Sequence, residues 1–347
     1  MQQVIDISGR KLGEGHPVFI TAECGATCIY DMDITKQLID VVKKSGADAI
    51  KFMFTFPDEF MSDKSVEYTY GTVEGQKTEN MYTMFEREHF SLSQWREIKA
   101  YAEEKGVLMF SSVDSPSGID LMEELQLPAY KISSWDLNYF PFIRRIAKFG
   151  KPMIVDTGPV DTFELAKVMQ VIAEEGNDKV VLVHCFHTEQ YGAMNMRALP
   201  YMRRVFGTPV GYSSSDTRDE TDIMAVMLGA CFLEKRLTIR RDLPGYHHIL
   251  SKTPDEFCAY VELMRSVQAA MGQENMKPSS EDLIEKKKWF RRLVAKKSLP
   301  KGTVLKESDL EGKRPPDGIS PEHLSLFVGR TLTRDLKEND PMRWEDV

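Results

Sequence analysis

The stretch PMIVDTGPVDTFELAKVMQVIAEEGNDKVVLVHC, residues 152–185, decides how the rest of the chain reads. It opens on a short apolar run (PMIVDT, 152–157), passes through an amphipathic stretch closed by a glycine (TFELAKVMQVIAEEG, 162–176), and ends on a second apolar run (VVLVHC, 180–185). A continuous apolar run bounded by turn residues predicts a strand buried on both faces, and a periodic segment ending in glycine predicts a helix with a glycine C-cap. Strand, helix, strand in that order is the unit of a parallel sheet.

The same unit recurs on both sides. Apolar runs stand at VFITAEC (18–24), AIKFMF (49–54), LMFSSV (108–113), AYKISS (129–134), VGYS (210–213) and FLEKRL (232–237), with helical stretches such as ITKQLIDVVKKSG, LSQWREIKAYAEEKG and ETDIMAVMLGA between them. Eight strands with no GxGxxG turn after the first predict a closed (β/α)8 TIM barrel rather than an open doubly wound sheet. The polar segment 55–90 follows a strand, where barrel enzymes carry active-site loops, and reads as a lid or substrate loop. After the helix TPDEFCAYVELMRSVQAAMG (253–272) comes a charged, weakly periodic stretch ending in EKKKWFRR (285–292), read as a linker over 276–290. The barrel domain is thus 1–275. The remainder, 291–347, is punctuated by Pro-Lys-Gly, Pro-Pro and Asp-Gly and reads as a compact, turn-rich second domain.

With 347 residues and a formal charge of -8, the chain has room for one large and one small domain and no broad basic surface to track a phosphate backbone, which argues against nucleic acid. No run of about 18 apolar residues occurs and the N-terminus lacks the charged-then-apolar order of a signal peptide, so a soluble, cytoplasmic protein without membrane contact is expected. Five scattered cysteines (Cys24, Cys28, Cys185, Cys231, Cys258) suit reduced thiols better than a disulfide framework.

In a parallel barrel the chemistry sits at the C-terminal strand ends. The polar residues there are Glu23, Lys51, Ser112, Lys131, Ser134, Asp136, Asp156, His184, His187, Ser213, Ser214, Ser215, Glu234 and Arg236. A lysine closing a strand as apolar as AIKFMF or AYKISS loses several kcal/mol of hydration unless something compensates. Two such lysines predict an anionic ligand; the competing reading is an ion pair of each with Glu23 or Asp136 that merely tiles the barrel. His184 reads as a hydrogen-bonded barrel histidine and the methionines as core.

In GADAIKF, GIDLMEELQLPAYKISSWDL, FGKPMIVDTG, FGTPVGYS and LGACFLEKRLT, in that order, the chain resembles the N-acetylneuraminate (sialic acid) synthase family, which includes legionaminic and pseudaminic acid synthases and the spore coat polysaccharide protein E group. KKSLPKGTVLKESDLEGKRPPDGISP resembles the antifreeze-like (SAF) domain of that family. The resemblance implies condensation of phosphoenolpyruvate with an open-chain amino sugar aldehyde to a nonulosonic acid, with a divalent metal, Mn or Mg, in a domain-swapped homodimer. It implies that Lys51 and Lys131 hold phosphoenolpyruvate, that Ser112, Ser134 and Ser213 bind it, that Glu23 and Asp136 face the sugar, and that Arg314 reaches the pocket of a partner subunit.

The chain departs from the family where the metal is concerned. Ser213, Ser214, Ser215, Asp216, Thr217 stand for Ser-Asp-His-Thr, and Glu234, Lys235, Arg236 for Glu-Lys-His, so both metal histidines are absent. Asp156 replaces a serine, His187 stands where Asn or Ser is usual, and Tyr246, His247, His248 replace Pro-Asp-His. Substrate contacts are therefore expected from Arg236, Asp156 and His187, with Arg236 supplying positive charge and pairing with Asp156 or a substrate anion. A barrel lyase or aldolase acting on a different sugar or acid, and a non-catalytic family member, remain open at this point.

Overall fold

The computed structural model describes residues 3–185, 190–215, 217–314 and 318–347. Eight parallel strands close into a barrel: β1 (Phe19–Glu23), β2 (Ala49–Phe54), β3 (Leu108–Val113), β4 (Tyr130–Ile132), β5 (Met153–Asp156), β6 (Val180–Cys185), β7 (Val210–Ser213) and β8 (Phe232–Arg236), with β8 pairing back onto β1. The eight apolar runs fall on these strands. They read as continuous because both faces of a barrel strand are buried.

Each strand is followed by a helix on the outside: α1 (Met32–Ser45), α2 (Leu92–Lys105), α3 (Pro116–Glu124), α4 (Phe140–Ala147), α5 (Thr162–Glu174), α6 (Ala198–Phe206), α7 (Glu220–Met227) and α8 (Pro254–Met271). Their starts are chemical: Asp31 caps α1, and capping boxes Ser91/Gln94 and Asp161/Glu164 open α2 and α5. The glycines after α1 and α2 take φ of 75° and 69°, the left-handed geometry a side chain resists.

Strand residues alternate between two layers. Outward residues such as Ile20, Ile50, Tyr130, Val155, Leu182 and Leu233 join the helices in the main core. Inward residues Phe19, Phe110, Ile154, Val181 and Phe232 fill the lower barrel, and Ile5, Ile7 and Leu12 of an N-terminal hairpin close its floor. Higher on the same inward rows the residues turn polar: Glu23 above Phe19 and Thr21, Lys51 above Ala49, Ser112 above Phe110, Lys131 above Ala129, Asp156 above Ile154 and Glu234 above Phe232. The apolar floor thereby carries a charged rim.

Segment 55–90 folds as a cap of its own: a helical turn (Pro57–Phe60), an antiparallel hairpin (Glu67–Thr72 with Gly75–Asn80) and a short helix (Met81–Glu86). Tyr70 and Met84 of the cap pack with Ala26 and Tyr246 in a separate apolar cluster.

The chain divides into two compact units, 1–272 and 273–347. In the second, a helix, α9 (Ser280–Trp289), occupies most of the stretch read as a linker, opened by a Ser279/Asp282 capping box. All of its residues are exposed, which is why its periodicity was too weak to read as a core-facing helix. Beyond it a short strand pair and turns enclose a small core of Leu293, Leu299, Leu310, Phe327 and Leu336 among others. No helix among the described residues is long and apolar enough to cross a membrane.

Candidate active site

A cavity of about 580 Å³ opens at the C-terminal mouth of the barrel. Its floor is lined by Glu23, Lys51, Ser112, Lys131, Ser133, Asp136, Asp156, Cys185, Ser213, Glu234 and Arg236, and its upper wall by Phe60, Tyr68, Met81, Met84 and Phe85 of the cap with Trp135, Tyr246 and His247.

Strand register brings the charges together. Glu23 lies opposite Lys51 on β2 and opposite Arg236 on β8, while Ser213 lies opposite Glu234. Lys51 Nζ pairs with Glu23 and sits 3.3 Å from Glu234 Oε1; Lys131 Nζ lies 2.8 Å from Glu234 Oε2 and 2.9 Å from Asp156 Oδ2. Glu234 is therefore the hub, a carboxylate shared between two ammonium groups and also accepting from Ser213 Oγ at 3.3 Å. The sequence marks Glu234 only as a polar strand end; its inward parity with Phe232 is the signal that puts it in the middle.

The lysines do not pair with Asp136, as one reading of the strand ends had it. Lys131 turns to Asp156 and Glu234 because all three stand on inward rows, whereas Asp136 lies beyond β4, in a turn of 3-10 helix (Ser134–Asp136). Of the two partners expected for Arg236, Asp156 or a substrate anion, Asp156 is not paired with it: its Oδ2 is committed to Lys131. Among the described residues Arg236 Nε and Nη1 and Asp156 Oδ1 are buried without a hydrogen-bond partner.

Burial by itself would lower the Lys131 pKa, but Asp156 and Glu234 outweigh it and hold the ammonium above its ordinary value. Glu234 is the mirror image: burial pushes it up, and Lys131 and Lys51 pull it well below the usual carboxylate range. Asp156 is raised, chiefly by burial, with Lys131 only partly compensating. Burial and then the neighbouring Asp114 charge push Asp136 up to about 7, while burial raises Asp114 to about 6. The mouth thus holds the Lys131 ammonium on one side and, on the other, two carboxyl groups that exchange protons near neutrality. Asp114 escapes the sequence reading because it lies one residue past its strand.

Ser112 lines the cavity and donates to the Phe52 carbonyl at 3.3 Å. Ser134 is buried one residue behind the lining, where Ser133 stands instead. Arg314 belongs to the second unit, where it is exposed and its Nε donates to the Trp289 carbonyl. His187 lies outside the described residues. His184 points outward, buried, with Nε2 3.0 Å from the Met194 carbonyl oxygen, as its reading as a barrel histidine predicts.

Lys235 shows what parity does. It sits between Glu234 and Arg236 but faces the helices, where it meets Asp222 Oδ2 of α7 at 2.8 Å and Ser214 Oγ at 2.7 Å, and Tyr260 of α8 holds Asp222 Oδ1 at 2.9 Å. That buried network is scaffold rather than site. Above the rim, Tyr246 donates to Glu88 Oε2 at 3.0 Å and ties the cap to the loop after β8; burial raises Glu88 to about 8.

The residues present do not fit the divalent metal that the resemblance implies. The strand-eight end that would carry a histidine presents the guanidinium of Arg236 to the cavity, and Glu23, Glu234 and Asp156 are engaged by lysines. Among the described residues no three His, Cys, Asp or Glu side chains converge as a metal site would require.

Fold and rim together define a (β/α)8 barrel with a charged, substrate-sized mouth. A model of the NeuB family matches residues 38–276 and a model of the SAF domain matches 290–347; the chain belongs to the NeuB family. It is 33% identical over 347 residues to an uncharacterised protein of Methanocaldococcus jannaschii, covering 99% of this chain and 98% of the other. It is 29% identical over 330 residues to the N,N'-diacetyllegionaminic acid synthase of Campylobacter jejuni, covering 93% of this chain and 98% of the other. The solved structure of the spore coat polysaccharide biosynthesis protein SpsE of Bacillus subtilis superposes with a TM-score of 0.67 at 26% identity, covering 99% of each chain.

Proposed function

We propose that the protein condenses phosphoenolpyruvate with an amino sugar aldehyde to form a nonulosonic acid for a surface polysaccharide. The observation that carries the reading is the pair of buried lysines, Lys51 and Lys131, at the barrel mouth. An ammonium has three donors, and each lysine spends two on carboxylates, leaving one apiece for an incoming carboxylate or phosphate. The family relationship supports the same chemistry, since the named relative from Campylobacter is an acid synthase of this kind.

In the reaction the enol π pair of phosphoenolpyruvate forms the new carbon–carbon bond at the aldehyde carbon, and the aldehyde oxygen takes a proton to become a hydroxyl. Water adds at the phosphate-bearing carbon, and phosphate leaves as the keto acid forms. Lys51 and Lys131 hold the phosphoenolpyruvate anion, with Ser112 beside them; Glu23 and Asp136 face the sugar, Asp136 being poised to move a proton near neutral pH. Ser213 and Ser134 act at one remove, the first through its bond to Glu234 and the second from behind the lining. Arg314, in a domain-swapped homodimer, serves the pocket of the partner subunit, and the enzyme works in the cytoplasm.

Asp156 favours a second reading, an aldolase acting on an unphosphorylated acid, since a carboxyl group beside a phosphate is unfavourable. Lys131 itself argues against serving as a Schiff-base nucleophile, since its two carboxylates favour the protonated ammonium. Melting of the protein with phosphoenolpyruvate and with pyruvate separates the two. A rise with phosphoenolpyruvate, followed by aldehyde-dependent phosphate release, supports the condensation; a rise with pyruvate alone supports the aldolase and refutes the condensation.

A further inference from the structure

Arg236 ends β8 on the inward row of Phe232 and Glu234, opposite Glu23 of β1, and its guanidinium lines the cavity. Lys51 and Lys131 have their charge met by Glu23, Glu234 and Asp156, whereas Arg236 Nε and Nη1 are buried and, among the described residues, find no acceptor. Glu23, opposite Arg236 in register, has its Oε2 taken by Lys51, and Arg236 also bears electrostatically on two further cavity side chains, His247 and Cys185. His247 is kept neutral by burial and then by Arg236, and burial holds Cys185 as the thiol, so neither supplies a counter-charge. A buried guanidinium with unmade hydrogen bonds is a donor set waiting for an oxygen, and it cannot lose its proton to escape the cost.

We propose that Arg236 receives the carbonyl oxygen of the aldehyde acceptor and stabilises the negative charge that develops on it, so that this rim carries out its reaction without a divalent metal. The inference rests on the condensation reading. As the enol carbon attacks, the carbonyl π pair moves to oxygen, the guanidinium donates hydrogen bonds to that oxygen while keeping its own protons, and a carboxyl group or water supplies the proton that completes the hydroxyl. A preorganised cation aimed at developing charge is the role a Lewis acid fills elsewhere. Guanidinium and dication exclude one another at a single oxygen, because each repels the other and Arg236 brings no lone pair to a metal.

The test uses the full chain, stripped with chelator and checked for residual metal by mass spectrometry. Calorimetric titration with Mn2+ alone is expected to show no saturable binding at micromolar concentration; tight binding that also raises the melting temperature overturns the proposal, whatever the activity. Melting with phosphoenolpyruvate in chelator tests the underlying reading separately: no rise there sinks the condensation and leaves the metal titration to judge Arg236. With N-acetylmannosamine as the acceptor probe, phosphate release is expected to persist in chelator. It should fall by about two to three orders of magnitude in Arg236→Met, with a smaller loss in Arg236→Lys, while both variants keep the phosphoenolpyruvate-induced rise. Unchanged phosphate release in Arg236→Met, or release that requires added Mn2+, refutes the role assigned to Arg236.

Discussion

Replacing Lys131 by Met removes the one cation that, among the described residues, touches both Glu234 and Asp156. The side chain is 1% exposed, so methionine fills much of its volume and the change is electrostatic before it is steric. Glu234 keeps Lys51 at 3.3 Å, but Asp156 is left with its charge unpaired. Breaking a buried pair by removing one partner destabilises by about 3–5 kcal/mol, which in a domain of this size lowers the melting temperature by roughly 6–20 °C. The loss depends on pH. In the native protein Glu234 is held at about 2, below its ordinary 4.5, so its contribution is present above 4.5 and fades as pH falls towards 2. Without Lys131 that contribution shrinks, and the folded-state values of Glu234 and Asp156 rise, so the variant binds protons on folding and becomes relatively less stable as pH increases. The gap between wild type and Lys131→Met, measured by urea denaturation, should therefore be widest at about pH 8 and narrow below about pH 5. Phosphoenolpyruvate should no longer raise the melting temperature. Equal denaturation midpoints at about pH 8, or a gap that ignores pH, would refute the assignment of the rim as a charge network centred on Glu234.

Asp136→Asn should stabilise the protein above neutrality: a carboxyl raised to about 7 binds an extra proton in the folded state, so stability falls as pH climbs from about 4 to about 7, by at most about 4 kcal/mol. Melting curves across that range should be flatter for the variant, and its pH–rate profile should lose the limb near 7. Asp222→Ala removes the carboxylate paired with Lys235, whose side chain is fully buried, and should cost about 3–5 kcal/mol in urea denaturation while the surviving fold still responds to phosphoenolpyruvate. Tyr246→Phe leaves the half-buried Glu88 without the Tyr246 donor and should weaken the cap by about 1–3 kcal/mol, read as faster amide exchange in the hairpin 67–80 with little change in the barrel strands.

The barrel was legible because closure buries both strand faces, so each strand shows as an unbroken apolar run; FLEKRL was recognisable as a strand despite three consecutive charges because its flanks are apolar. The three charges, though, have different fates, and only parity separates them. Glu234 and Arg236 face the cavity with Phe232, while Lys235 faces Asp222 and Tyr260 among the helices. Lys51 and Lys131 stood out in sequence because an ammonium in an apolar run demands a partner. Which partner it takes is a matter of register across non-neighbouring strands: Lys131 on β4 reaches Glu234 on β8, 103 residues away in sequence, and no local signal encodes that. Asp114, Glu88 and Tyr246 were harder still, since they sit in connections whose paths are set by packing of the cap rather than by strand periodicity. The linker helix shows the converse, a segment whose capping box was present in sequence but whose apolar stripe was not.

The two departures that look most damaging on paper, the acid at 156 and the arginine at 236, offset each other in charge. The inward rim carries Glu23, Asp156 and Glu234 against Lys51, Lys131 and Arg236, three of each sign. A serine at 156 with a neutral histidine at 236 would leave two carboxylates and two lysines, also balanced, with room for a dication and its ligands. Replacing both adds one charge of each sign, so the rim stays balanced while a fixed cation stands in the mouth. Asp156 satisfies Lys131 with one oxygen, and Arg236 keeps its donors for whatever enters the mouth. Either change alone would leave a buried charge uncompensated at a cost of several kcal/mol, so the pair is best understood as one substitution in two places.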